Sequence, residues 1–345
     1  MVVRCMSGIE FGLDTFGGVT RDAEGRPVHH AQVIRDLVED GVTADQLGLD
    51  FFGVGEHHRP DFAVSSPEMV LAAIAARTRR LRLGSTVTVL SSDDPVRVFE
   101  RFATLDAVSD GRAEIVAGRG SFTESFPLFG YDLNDYEVLF EEKLELLAAL
   151  LKEEPVTWSG STRAALTDQR VYPETARGLR AWVGVGGSPE SVVRTARYGF
   201  GLFLAIIGGP AARFAPYIDL FERAQDEFDT GRQPIAVHSP GLVAETDEQA
   251  RALVHAGWQA MRRRMVTERG WPPPAAGDFE REIESGSLYV GSPETVARKV
   301  AGTLRTLRVN RFDLKYDQPV QHAEQLRSIE LYGSRVVPLV RDMLA

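Results

Sequence analysis

Thiols are almost absent: in 345 residues the one cysteine is Cys5. An internal disulfide is therefore excluded, and a reducing compartment is expected. Long apolar runs are absent too. The longest, near Leu202–Ile207, is far too short to cross a bilayer, and Met1–Gly8 carries an arginine but no apolar leader stretch. These absences predict a soluble, unexported, cytoplasmic protein. Positive charge is in deficit, with a formal net charge of −10 and a pI near 5.3, so nucleic acid and anionic membrane are both expected to be repelled. Two signatures of chemistry are also missing. No GxGxxG follows the first apolar run, which weakens an open dinucleotide-binding sheet, and no HExxH offers a metal pair. What is present is globular: 43% hydrophobic and 26% charged residues supply a substantial core and argue against disorder.

Apolar strands and amphipathic helices alternate along the chain with short links. Ile9–Leu13 reads as a first strand, a helix from about His30 follows, and Phe51–Glu56 is the second strand. Ser66-Pro67 supplies a serine cap and a proline at the first helical position for a helix over Met69–Arg77. Leu81–Leu90, Ala113–Ala117, Ala181–Val185, Gly201–Ile207, Ile235–Val243 and Phe312–Tyr316 complete the strands. Each return to a parallel neighbour needs a crossover helix, so eight such units predict an α/β protein, a closed (β/α)8 TIM barrel forming one domain over residues 1–345. Two stretches break the rhythm. Glu154–Arg180, after the fourth helix, reads as an insertion suited to a hairpin, and Gly270–Gly286, before the eighth strand, as a Pro/Gly-rich loop.

In such a barrel the chemistry lies at the carboxyl ends of the strands. The second strand ends in Glu56-His57-His58-Arg59, the fourth in Arg119, and the fifth in Gly187-Ser188. Unless the strand has already ended, alternation along it puts Glu56 and His58 on one face and His57 on the other, and the remaining histidines are scattered, so no metal site is expected. An imidazole beside a carboxylate suits a general base or proton shuttle; a histidine merely hydrogen-bonded at a strand end is the plainer alternative. Gly186–Glu190 places small residues and a serine where a helix begins, a suitable phosphate seat, and Arg119 could add a bidentate contact. Gly291-Ser292-Pro293-Glu294 repeats the pattern and marks the other possibility, a helix cap alone. Phe122, Phe126 and Phe129 could wall a flat ligand or seal the barrel mouth, and Trp271–Pro274 could be a lid or an ordinary loop.

Taken together, Phe52–His58, Leu83-Gly84-Ser85 through Asp94–Arg97, Ser109–Arg112 with Gly118-Arg119-Gly120, and Val185–Ser188 resemble the bacterial luciferase-like flavin-dependent monooxygenase family. The resemblance implies a (β/α)8 barrel that binds FMN, usually as reduced flavin from a separate NAD(P)H:flavin reductase, and uses O2 on a small organic substrate. It gives His57 the place of the catalytic histidine with Glu56 beside it, and gives Arg119, Ser188 and the Gly187 backbone the phosphate. It puts Thr86 and Val87 where the third strand presses a bulge, often a non-prolyl cis peptide, against the isoalloxazine ring. Family members commonly dimerise, and the apolar Met69–Arg77 helix suits a homodimer or higher homo-oligomer. Gly118 and Gly187 depart from luciferase itself, so light emission is not implied. Two rivals stand beside this reading: F420-dependent hydride transfer on the same barrel, and a non-catalytic flavin-binding accessory subunit.

Overall fold

The computed structural model describes residues 8–120 and 122–345, and Cys5 lies outside them. Eight parallel strands form the central sheet: β1 (Glu10–Thr15), β2 (Phe51–Val54), β3 (Arg82–Ser85), β4 (Ala113–Gly118), β5 (Arg180–Val185), β6 (Gly201–Ala205), β7 (Ile235–Val243) and β8 (Arg311–Lys315). Each pairs with the next, and β8 pairs back onto β1 in the register Gly12↔Asp313, so the barrel is closed as expected. Closure leaves no sheet edge in this layer.

The strands are buried on both faces, which is why they read as continuous apolar runs. Outward residues such as Leu13, Phe52, Leu83, Ile115, Val183 and Leu202 meet the helix ring in one large core, while Val116, Trp182, Phe203 and Ala236 pack inside the barrel. The helices match this arrangement residue by residue. In Pro293–Leu307 the buried Val296, Ala297, Val300, Ala301, Leu304 and Leu307 recur at helical spacing, behind a Ser292 cap and a proline at the first turn.

Three segments differ from expectation, and a fourth, the insertion, agrees with it. The predicted third strand Leu81–Leu90 is broken: β3 stops at Ser85, a cis peptide joins Thr86 to Val87, and Thr88–Val89 resumes pairing against β4 before a 3-10 turn at Leu90–Ser92. Ser66 precedes its helix, which runs Pro67–Ala75, but its hydroxyl makes no cap bond. The insertion does hold an antiparallel hairpin, Val156–Trp158 with Leu166–Gln169. The loop Gly270–Gly286 contains a helix, Asp278–Glu284, and just beyond it Tyr289–Gly291 adds a parallel strand to the end of β7. These pieces enclose a second small core of Leu242, Val254, Trp258, Phe279 and Ile283 against the long helix Asp247–Arg269. Among the described residues no helix is long and apolar enough to cross a membrane.

The amino end of the barrel is plugged by charge. Glu114 is fully buried; its carboxylate meets Arg311 at 2.8 Å, Arg180 at 2.9 Å, the Trp182 indole N–H at 2.9 Å, and Arg82. Burial alone would push this carboxyl up, but the Arg311, Arg180 and Arg82 guanidiniums outweigh it and hold it down at about 2.

Candidate functional site

At the carboxyl end, β2 delivers its residues from an ended strand. The Gly55 N–H still bonds Thr15 O at 2.7 Å, after which His57 N–H bonds Val64 O at 3.0 Å, so the chain has turned into a loop pinned across the mouth. Strand parity no longer applies past Val54, yet Glu56 and His58 meet: Glu56 Oε1 lies 2.9 Å from His58 Nε2, and Glu56 Oε2 accepts from the Val89 N–H at 2.9 Å. Glu56 thus staples β2 to the segment after the cis peptide. It does not touch His57 through any hydrogen bond, which differs from the expected pairing.

The partner of His57 is Glu124, from the loop after β4, with Oε1 at 3.4 Å from Nδ1. Burial would raise the Glu124 carboxyl, but hydrogen bonding from His57 and its own backbone outweighs it and the carboxyl lies below its ordinary range. The imidazole is fixed on three sides by rings: it stacks on Phe62 at 4.2 Å and 24°, tilts against Phe16 at 5.0 Å, and meets the edge of Phe122 at 5.3 Å. Of the other predicted aromatics, Phe129 abuts His58 at 5.0 Å, while Phe126 is fully buried and stacks on Tyr136.

Thr86 and Val87 form a ledge inside the mouth. A Cβ at Gly53 would come within 2.5 Å of the Thr86 methyl, and one at Gly118 or Gly184 within 2.5 or 2.8 Å of a Val87 methyl. Three strands therefore carry glycine because the ledge occupies the space a side chain would need. Val87 and Gly184 remain half-buried although they point into the barrel, so the mouth is open down to this level.

The phosphate candidates also converge. Gly187 has φ +122, a backbone that favours glycine, and its carbonyl accepts from the Tyr217 hydroxyl at 2.8 Å. Ser188 caps the helix Pro189–Arg197 by accepting from Ser191 N–H at 3.2 Å. Arg119 reaches the same corner, bonding Glu137 at 2.6 Å and lying over the Tyr136 ring at 5.4 Å. Arg194, which was not anticipated, shares Glu137 at 3.1 Å and pairs with Glu141, yet its buried Nη1 has no partner. The Glu137 carboxylate is 63% exposed, so its hold on Arg119 is worth at most about 1 kcal/mol and a dianion can replace it. The repeated pattern at Ser292 is different: Asp247 already occupies that helix start, accepting from Ser292 N–H at 2.6 Å and Thr295 Oγ1 at 3.0 Å. At the Ser188 copy the carboxylate is instead local and exposed: the Ser188 hydroxyl donates to Glu190 Oε2 at 2.8 Å, a contact that an incoming anion can displace.

Arg59, a candidate for binding an acidic tail, is engaged by Asp61 at 3.0 Å and Glu268 at 2.8 Å, and Arg264 also pairs with Asp61. Trp271 packs over Arg262 at 5.0 Å. Among the described residues no group of three histidine, cysteine or acidic side chains is placed to hold a metal ion.

Comparison with known proteins bears on the family and the fold. The family model described as luciferase-like monooxygenase matches residues 15–311. The chain is 29% identical to 4-hydroxyprotoasukamycin monooxygenase of Streptomyces nodosus subsp. asukaensis, over 85% of this chain and 83% of that protein. It is 28% identical to limonene 1,2-monooxygenase of Rhodococcus erythropolis, over 94% and 87%. The same fold is seen in the FMN complex of the oxygenating constituent of 3,6-diketocamphane monooxygenase from Pseudomonas putida, with a TM-score of 0.77, 20% identity and 96% and 98% coverage. It is seen equally in an F420-dependent secondary alcohol dehydrogenase, with a TM-score of 0.75, 16% identity and 97% and 100% coverage. The matched span takes in β2 to β7, the ledge at Thr86–Val87 and the Arg119 and Ser188 corner, and on it the chain belongs to the luciferase-like monooxygenase family.

Proposed function

We propose that the chain is an FMN-dependent monooxygenase of the two-component type, taking reduced flavin and O2 to a small organic substrate. The observation that carries this reading is convergence at one mouth: a ledge for a flat ring at Thr86–Val87, a phosphate corner at Arg119 and Ser188, and His57 across from them. The residues fit FMN because the three ledge glycines leave a smooth wall, because Arg194 Nη1 has no partner, and because the helix start at Ser188 holds only the exposed Glu190 carboxylate, which a phosphate can displace. When bound in its reduced form, FMN supplies the two electrons that activate O2.

The chain's own residues do the rest. Arg119, Arg194, Ser188 and the Gly187 backbone bind the phosphate. With Nδ1 taken by Glu124, His57 keeps Nε2 to hold or move a proton. Glu124 orients the ring, and Phe16, Phe62 and Phe122 exclude water around it. A separate NAD(P)H:flavin reductase in the same cytoplasm would deliver the flavin. A homodimer fits the groove beside the helix Pro67–Ala75, where Met69 is 73% exposed above Ile34, Val38 and Val70; a monomeric sedimentation coefficient would count against it.

Anaerobic titration with reduced FMN and with F420 tests the cofactor. FMN is expected to bind and F420 not to, because Arg59 and Arg264 are neutralised by Asp61 and Glu268 where an acidic tail would need cations. Tighter binding of F420 would replace the monooxygenase reading with hydride transfer. If His57→Ala left turnover unchanged, the accessory-subunit reading would gain instead.

A further inference from the structure

A second histidine faces the barrel interior and has no part in the reading above. His238 on β7 is only 4% exposed, and its Nδ1 lies 2.8 Å from Oδ2 of the fully buried Asp14 on β1. The registers Ala205↔His238, His238↔Asp313 and Asp14↔Lys315 place this pair at the level of the open mouth, on the side away from the Thr86–Val87 ledge. Phe203 lies against the imidazole at 5.1 Å and Phe16 at 6.4 Å, and Phe16 also contacts His57. One phenylalanine ring thus stands between the two histidines.

The hydrogen bonding assigns the protons. A carboxylate can only accept, so Asp14 takes Nδ1–H, and in its neutral form the imidazole has Nε2 as an acceptor. Among the described residues Nε2 has no hydrogen-bond partner. Asp14 Oδ1 is likewise buried without a partner, so the pair holds two unused acceptors. Lys315, which pairs in register with Asp14, does not satisfy them: its ammonium bonds Asp317 at 2.8 Å and sits over the Phe16 ring at 4.2 Å. Unpaired acceptors in the barrel interior, nearly closed to solvent, are satisfied by a donor that arrives with the ligand. Above them Phe16, Phe62 and Phe122 supply an apolar, ring-lined wall.

We propose that the Asp14–His238 pair recognises a hydroxyl group on the substrate, and that the substrate is a small aromatic or ring compound whose hydroxyl donates to His238 Nε2 while its ring packs among the phenylalanines. His238 is the contacting group; Asp14 is a positioning residue that fixes the tautomer. This rests on the reading of the barrel mouth as the substrate site.

The probes are 4-ethylphenol and its methyl ether, 4-ethylanisole, which differ in the donor and little in shape. Calorimetric titration of the FMN-loaded protein is expected to show the phenol binding about tenfold more tightly than the ether. His238→Asn keeps a donor for Asp14 but removes the atom at the Nε2 position, and should bring the two probes to equal affinity with FMN binding unchanged. His238→Gln returns an acceptor near that position and should restore part of the preference. Equal binding of the two probes by the unsubstituted protein, no binding of either, or a preference that survives His238→Asn would overturn the proposal. FMN titration is read separately: a protein that fails to take FMN sinks the proposed function, whereas one that takes FMN and ignores the phenol hydroxyl sinks only the role given to His238.

Discussion

The two ends of the barrel both bury acids and bases, and they treat them oppositely. At the amino end Glu114 is surrounded by Arg82, Arg180, Arg311 and the Trp182 N–H, and its carboxyl is held at about 2. At the carboxyl end His57, Glu124, Asp14 and His238 are joined in pairs that leave Glu124 Oε2 and Asp14 Oδ1 without partners. Asp313 lies between the two regimes: it is fully buried, 3.1 Å from Arg311 Nε yet without a hydrogen bond to it, and burial pushes its carboxyl well above the usual range against the pull of Arg311. The Glu114 carboxylate has all its acceptor capacity used and ties β3, β4, β5 and β8 together, whereas the carboxyl-end pairs keep acceptors that a ligand can use. That division follows the general separation of stability and chemistry between the two faces of such barrels.

The largest effect should come from breaking the saturated end. Glu114→Gln removes the one carboxylate that hydrogen-bonds the buried Arg311 and is expected to lower unfolding free energy by about 3–5 kcal/mol in urea melts. The same carboxyl has a folded value of about 2 against an ordinary 4.5. Its contribution is therefore complete above about pH 4.5 and disappears as pH falls towards 2, so the variant's stability should be flatter over that interval. Acting at the other end, His57→Ala should cost turnover rather than folding: a loss of about 10²–10⁴-fold with the far-ultraviolet circular dichroism retained. A smaller change is expected from Arg119→Ala, about 10–100-fold weaker FMN binding, with riboflavin, which has no phosphate, bound as before. Equal losses for both flavins would remove Arg119 from the phosphate corner. The smallest is Glu124→Gln, which should slow turnover by about fivefold or less, since a 3.4 Å contact to a partly exposed carboxylate is a weak one. If its loss matched that of His57→Ala, the carboxyl end would be as tightly coupled as the amino end and the contrast between them would fail.

The strand and helix alternation was legible because it is written locally, in apolar spacing and in Ser-Pro starts such as Ser188-Pro189 and Ser292-Pro293. What escaped was set by distance along the chain. Glu56 is adjacent to His57 in sequence, but Glu124, 67 positions away, is the residue in contact. Asp14 and His238 are 224 positions apart and belong to different strands, so nothing local joins them. Leu81–Leu90 reads as one strand because its residues favour extended structure, and no residue type there announces the break after Ser85; the bulge at Thr86–Val87 was expected from the family pattern alone. The helix Asp278–Glu284 did leave a signal, Phe279 and Ile283 four apart behind an acidic first turn, hidden among prolines and glycines.

The ion pairs joining the loop of His57 to the long helix, Arg59 with Glu268 and Arg264 with Asp61, also bear on how such a protein can be inherited and altered. Asp61 and Arg59 sit four and two residues from the imidazole, while their partners come from a helix some two hundred positions later. A lineage that lengthens, trims or re-charges that helix moves the anchor of the histidine loop with it. Among descendants of this chain, the four residues should therefore be exchanged as a set, and grafting the late helix from one relative into another should succeed only when the short segment after β2 travels with it.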